Sequence, residues 1–336
     1  MLEIKGDYLE GGGQIIRTAL ALSLITQKPF TIVDIRKGRK EPGLKEQHLQ
    51  TVRAAAGLCN AKVEGDRLYS AELSFIPRKI TNTNLEINIS TAGSTALVLQ
   101  SLLIACTHHN LNIHIKGGGT FNLKAPSLIY IKKVLLPLLE KMDYHVSIEV
   151  VKNGFFPKGG AEIKVRTRKT NLRPLQTTEC GELKSISCFS FASDFLKKRQ
   201  VAERQSQTAQ KSLENFNLKT CNRYVPSICP GSGMLLTAEF DDTILGFDAL
   251  GEIGKTAEQV GHEAALGLLK QINSGACMDE FMTDQILPYL ALAKGTSAIK
   301  IPELTKHAET NIWLIKQFLN ADFSLKNNMI YVSSRE

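Results

Sequence analysis

The sequence predicts an α+β fold: three repeated βαβαβ-type α/β units, helices packed on small sheets, plus an inserted small α+β domain. Three observations predict it. A helix-then-strand pattern that opens at Gly13 recurs from Gly93. A partial copy returns near the C-terminus, and between the second and third copies the pattern changes character. Units of this size bury their apolar faces against one another.

In the first unit Ile15, Ile16, Ala19, Leu20, Leu22 and Leu24 follow Gly13 at helical spacing, and Phe30, Ile32, Val33 and Ile35 read as a strand. The loop Arg36-Lys37-Gly38-Arg39 ends it. A helix is expected over 46–58 and short strands over 61–63 and 68–70. In the second unit Gly93 opens a helix with Leu97, Val98, Leu102, Leu103 and Ile104, and Leu111, Ile113 and Ile115 form the strand. The loop Lys116-Gly117-Gly118-Gly119 follows. Its second helix spans 126–142, with Pro126 suited to the first turn, and strands over 146–151 and 161–165 close it. The third copy offers a strand at 297–301, an amphipathic helix at 310–319 and strands at 323–325 and 329–332.

The intervening stretch alternates as a strand over 182–192. It then runs as a polar helix over 198–215, strands over 234–240 and 243–247, and a helix over 256–272. The division expected is a main body of 1–180 and 274–336, with 181–273 inserted.

Of 336 residues, 43% are hydrophobic and 22% charged, which excludes a disordered chain, a coiled coil and a collagen. No run reaches the ~18 apolar residues of a membrane span; the nearest, 95–106, is broken by Gln100 and Ser101. The first residues show no basic leader or apolar segment. The expectation is a cytoplasmic protein, or a nucleoplasmic one if the source is eukaryotic. The seven cysteines contain no Cys-x-x-Cys pair, so reduced thiols packed as small hydrophobes are expected. A net charge of +8 favours an anionic partner. Of three basic groups, Arg36, Lys37, Arg39 and Lys40 stand beside glycines and a Pro-Gly turn where a phosphate can approach; Lys197, Lys198, Arg199 and Arg204 read as a solvated face.

The triplet in Glu10-Gly11-Gly12-Gly13-Gln14 exposes N–H groups at a helix start, an anion cradle with Glu10 as an oxygen ligand suited to Mg²⁺. A tight turn with a surface glutamate reads equally well. Residues Ala249 to Thr256 fit a loosened P-loop, yet Asp241, Asp242 and Asp248 make the preceding strand too polar for a buried parallel sheet. A glycine-punctuated turn is favoured there. His108, His109 and His114 read as surface or turn histidines, and His48 as a phosphate contact. His307, expected in the loop before the last helix, mirrors Lys45 and Pro126. It can serve as a nucleophile, although by spacing alone an exposed loop histidine wins.

The chain resembles the RNA 3'-terminal phosphate cyclases over nearly its whole length. Five blocks in family order carry the resemblance: Glu10 to Thr18, Ile35 to Leu49, Ser94 to Gln100, Gly117 to Thr120, and His307-Ala308-Glu309-Thr310-Asn311. A sixth, Asn153 to Ala161, departs from the family, which has Arg or His in place of Asn153 and a third Gly in place of Ala161. The resemblance implies repeated units like the C-terminal domain of translation initiation factor 3, with an inserted domain. It implies ATP-dependent conversion of an RNA 3'-phosphate to a 2',3'-cyclic phosphate. His307 matches the nucleophile that becomes adenylylated. Gln100, Pro126 and Phe281-Met282-Thr283-Asp284-Gln285 match the nucleotide pocket, Phe281 and Pro126 flanking adenine and Asp284 reading its amino group. Glu10 matches the acid that holds a divalent metal, Mg²⁺ or Mn²⁺. Arg17, Arg36, Arg39 and Gln47 match positions that hold phosphates. The partners implied are ATP and RNA with a 3'-phosphate end, with no membrane and no obligate protein partner. Non-catalytic relatives in ribosome biogenesis lose the histidine that His307 retains. An enolpyruvyl transferase would need more copies of the unit.

Overall fold

Each repeat runs β-α-β-α-β-β in the computed structural model, which describes residues 1–334. The first comprises β1 (Leu2–Lys5), α1 (Gly13–Thr26), β2 (Phe30–Val33), α2 (Glu46–Cys59), β3 (Lys62–Glu64) and β4 (Leu73–Ile76). The second comprises β5 (Asn84–Ser94), α3 (Thr95–Ala105) and β6 (Leu111–Gly119). It continues as α4 (Leu128–Tyr130), a π turn at Ile131–Leu135 and α5 (Leu136–Lys141), then β7 (Val146–Lys152) and β8 (Glu162–Thr167). The third starts at β9 (Gln176–Thr177) and is interrupted at once.

The interrupting segment holds β10 (Leu183–Ser193), α6 (Val201–Ser212), β11 (Leu218–Val225), β12 (Ser232–Phe240), β13 (Ile244–Leu250) and α7 (Ala257–Asn273). The third repeat then resumes with α8 (Met282–Leu292), β14 (Gly295–Lys300), α9 (Lys306–Phe318), β15 (Ala321–Lys326) and β16 (Met329–Ser334).

The three repeat sheets share one order. They read β1-β2-β4-β3, β5-β6-β8-β7 and β9-β14-β16-β15, and the first two strands are parallel in each. The segment between has its own sheet, β11-β10-β12-β13, and a separate apolar core of residues such as Ile186, Leu236 and Leu268. Alternation sets each sheet's inner face: Ile4 and Ile32, paired in register, and Phe30 and Phe75, likewise paired, are fully buried. The helices pack against each other on that side, with α1 touching α2, α3 and α9.

The structure corrects several expectations. The repeat carries a sixth element, so it is βαβαββ rather than βαβαβ. Residues 68–70 form a turn, with Tyr69 in the left-handed region at φ 62°; the strand lies four residues on, where Leu73 and Phe75 alternate inward. Gly93 lies in the last residues of β5 rather than opening α3, because Ser94 takes the N-cap and its side chain accepts from Leu97 N–H. The polar helix expected over 198–215 is broken at Gln200, which has φ 50°. β1, β5, β9 and β11 are strands that the sequence pattern does not announce. His307 is not in a loop: Thr305 caps α9, accepting from Ala308 N–H at 3.2 Å, and His307 is the second helical residue. No described helix is long and apolar enough to cross a membrane.

Candidate active site

A cleft of about 990 Å³ opens where helix starts from all three repeats converge. Gly13 and Gln14 come from α1, Gln47 and His48 from α2, Leu97 and Gln100 from α3. Pro126 precedes α4, Phe281 and Asp284 begin α8, and Thr305 and His307 begin α9. Helix starts from all three repeats therefore line one space, and the positive ends of their dipoles there favour a polyanion.

Glu10, Arg17, Arg36, Arg39, Gln47, Gln100, Pro126, Phe281, Asp284, Gln285 and His307 all line this cleft. Met282 and Thr283 do not: both are fully buried, Met282 in the main core and Thr283 donating to Asp279 O at 3.0 Å.

His307 is about half exposed, its Nδ1 lying 2.8 Å from Gln14 Oε1. Gln14 Nε2 donates in turn to Asp284 Oδ2 at 2.8 Å. An ionised Asp284 accepts only, so it fixes the Gln14 amide, whose oxygen then takes the proton on Nδ1. That leaves the Nε2 lone pair facing the cleft, 3.9 Å from Glu10 Oε1. Burial, then Arg17 and Arg39, hold the His307 imidazole below its ordinary range and thus neutral near pH 7. Burial pushes Asp284 up to about 7 against the opposing pull of Arg17. Asn311 ties the parts together, donating to Asp284 O at 2.7 Å and accepting from Thr18 at 2.9 Å.

Glu10 pairs with Arg39, which also donates to the Glu10 carbonyl at 2.8 Å. The Glu10 carboxylate lies over Gly12, where any side chain would displace it. His48 Nε2 lies against Gly13 in the same way, and His48 Nδ1 accepts from Lys45 N–H at 3.0 Å. Burial and the nearby Arg17, Arg36 and Lys45 push His48 down to about 3, so it is a neutral strut. Arg36 spends one nitrogen on the Glu41 and Gly43 carbonyls, both at 2.8 Å, and so shapes the basic loop. Arg17, lowered to about 10 by burial, stays charged.

Buried side-chain oxygens without a protein partner cluster here. Among the described residues they are Glu10 Oε2, Asn122 Oδ1, Gln285 Oε1 and Tyr289 OH, and the first three line the cleft. Such atoms call for a ligand donor or a cation. No group of three or more His, Cys, Asp or Glu that would hold a metal exists among the described residues. A lone carboxylate suits Mg²⁺ shared with substrate phosphates.

The interrupting segment completes the walls. Asp248 on β13 accepts from Ser127 N–H at 2.6 Å, fixing the turn that carries Pro126. Fully buried Asp279 accepts from Tyr130 OH, Gly246 N–H, and the N–H groups of Phe281 and Met282, and burial pushes it up to about 6. The Phe247 ring stands 5.7 Å from Phe281. Lys255 sits at the rim with its amine on Glu263 at 2.5 Å, and β13 is an antiparallel edge strand, so the P-loop geometry is absent there. His114 pairs with Glu162 at 2.9 Å, away from the cleft. The turn at Asn153–Ala161 forms despite its departures: Asn153 Oδ1 accepts from Thr120, and Ala161 N–H donates to Gly118 O at 3.1 Å.

Sequence reasoning assigned no role to Gln14, Asn122, Asp248, Asp279 or Asn311. Gln14 follows the glycine triplet one turn before Arg17, and that proximity was the only signal available for it.

A family model described as RNA 3'-terminal phosphate cyclase matches residues 8–325. Relatives of that name include one from Caldivirga maquilingensis, 43% identical, covering 97% of this chain and 95% of the relative. Others come from Pyrococcus abyssi, 41% identical with 97% and 95% covered, and Sulfurisphaera tokodaii, 40% identical with 99% and 98% covered. The chain belongs to the RNA 3'-terminal phosphate cyclase family.

Proposed function

We propose that this chain is an ATP-dependent RNA 3'-terminal phosphate cyclase that works through an AMP carried on His307. The His307–Gln14–Asp284 chain of hydrogen bonds, set among converging helix starts, is the observation that supports it.

His307 Nε2 attacks the α-phosphorus of ATP; a P–N bond forms and the bond to the pyrophosphate oxygen breaks. An oxygen of the RNA 3'-phosphate next attacks the same phosphorus and releases His307. The vicinal 2'-OH then attacks the RNA phosphorus, closing the cyclic phosphate as AMP leaves. Gln14 holds the reactive tautomer and accepts the Nδ1 proton's hydrogen bond while the ring carries positive character. Arg17 and the helix N-termini lower the charge on the phosphates. Arg36, Arg39 and Gln47 line the wall on which phosphates of ATP or RNA would rest.

Phe281 and Pro126 flank adenine, with Asp284, Gln100 and Gln285 supplying polar contacts. Met282 and Thr283 act through packing, by seating the start of α8. Glu10 would hold the divalent metal through its unpartnered Oε2, and Arg39 would balance the carboxylate. When bound, the metal neutralises charge on the departing pyrophosphate.

The test uses α-labelled ATP. The wild-type protein should acquire acid-labile, base-stable label, while His307→Ala should acquire none and fail to cyclise a 3'-phosphorylated oligonucleotide. An unchanged melting temperature would show that the half-exposed ring is not a packing element. Normal labelling of His307→Ala would end this reading.

A further inference from the structure

Cys180 and Cys277 stand on the two strands of chain that lead into and out of the interrupting segment, 97 positions apart. Their sulfurs are 3.0 Å apart. Both belong to irregular backbone, so a small shift breaks no helix or strand. The contact is nevertheless held firmly. The turn between β12 and β13 grips both residues: Asp242 N–H donates to Cys180 O at 3.0 Å and Thr243 Oγ1 to Cys277 O at 2.5 Å. Cys277 N–H donates to Lys300 O at 2.9 Å. Closing the sulfurs to the ~2.05 Å of a disulfide requires a movement of about 1 Å.

The two thiols are not equivalent. Cys277 is fully buried, whereas Cys180 is partly exposed and open to a small reagent. The Cys277 sulfur contact, with Lys300 nearby, draws the Cys180 thiol below its ordinary value, toward the nucleophilic thiolate.

We propose that Cys180 and Cys277 form a reversible dithiol–disulfide modification site that locks the neck of the 183–273 segment. The oxidant is a peroxide. The Cys180 sulfur attacks one oxygen of hydrogen peroxide; an S–O bond forms, the O–O bond breaks, and the departing hydroxide takes the thiol proton to give water. The Cys277 sulfur then attacks the Cys180 sulfur; the S–S bond forms, the S–O bond breaks, and the second hydroxide leaves with the Cys277 proton as water. Two sulfurs lose two electrons in all, and one peroxide becomes two waters. A small dithiol reverses the bond by exchange.

The lock reaches the cleft. Cys277 lies two residues before Asp279, which holds Tyr130, Gly246 and the start of α8 in place. It also closes a long loop, so it should restrict the unfolded chain more than a short staple would.

The experiment treats the full-length protein with hydrogen peroxide, alkylates free thiols under denaturing conditions, and maps peptides without reduction. The expected product is a Cys180–Cys277 linked peptide pair two hydrogens lighter than its parts. The melting temperature should rise by about 5 °C or more and return with dithiothreitol. Cys180→Ser should lose both the linked pair and the rise. Peptide mapping of the wild type needs no variant, so a misfolded substitution cannot obscure the answer. If peroxide leaves both cysteines separately alkylatable, or takes Cys180 to the sulfinic acid with no linked pair, the proposal fails. It also fails if the thermal shift survives in Cys180→Ser.

Discussion

Asp284→Asn should change the pH dependence of self-adenylylation more than the attack geometry. Asp284 titrates near 7 because burial disfavours its charge. Above that pH it accepts from Gln14, and His307 keeps its proton on Nδ1. Below it the carboxylic acid becomes a donor. The Gln14 amide can then turn round and present N–H to Nδ1, which moves the imidazole proton to Nε2 and removes the nucleophilic lone pair. The energy at stake is one hydrogen bond with a charged partner, about 1.5–3 kcal/mol. That corresponds to a fall of roughly tenfold to a hundredfold in rate.

The sign is fixed: labelling rises with pH through about 7, where Asp284 loses its proton. Protonation of His307 itself enters lower, because its pKa is depressed below the ordinary imidazole value. Asparagine can donate or accept at every pH, so the variant should keep an intermediate rate and lose the inflection near 7. The assay is single-turnover labelling with saturating α-labelled ATP from pH 5.5 to 8.5. Saturation removes any effect of Asp284 on adenine affinity. A wild-type rate that is flat across this range, or a variant that retains the upper inflection, would refute the relay.

Three further outcomes follow from the cleft. Lys255→Ala should alter the KM for ATP by less than about threefold, because Glu263 and Glu252 already neutralise the amine; a severe loss would restore the P-loop reading. Glu10→Ala should raise the metal concentration needed for half-maximal labelling, whereas Arg39→Ala should lower it by freeing the carboxylate while weakening RNA binding. The salt slope of RNA binding in Arg39→Ala should become shallower by about one, and equal metal requirements in both variants would contradict the pairing. Asp248→Ala removes the acceptor for Ser127 N–H, so the KM for ATP should rise about tenfold with kcat changed much less. An unchanged KM would show that the interrupting segment does not set the Pro126 wall.

Much of this protein was legible from residue order alone. The apolar spacing of α1 and α2, the strand at Phe30–Val33 and the capped start of α7 are local features, set by side-chain period and by nearby turn chemistry. The glycine triplet, the basic loop and the His307 block were likewise visible, because each is a short run of chemistry. Several strands escaped the pattern, β1, β5 and β9 among them, and two others show why. β11 is an edge strand whose Lys219, Asn222 and Arg223 face solvent, so it has no apolar alternation to read. β4 was displaced by the apolar look of Leu68 and Tyr69, which a left-handed turn leaves exposed.

Tertiary structure alone decided which groups work together. Gln14 meets His307 across 293 positions and Asp284 across 270. Asp248 reaches Ser127 across 121, and Cys180 meets Cys277 across 97. No local period encodes such contacts. They arise because three similar units each turn the same helix ends inward, so that N–H groups and side chains far apart along the chain face one cleft.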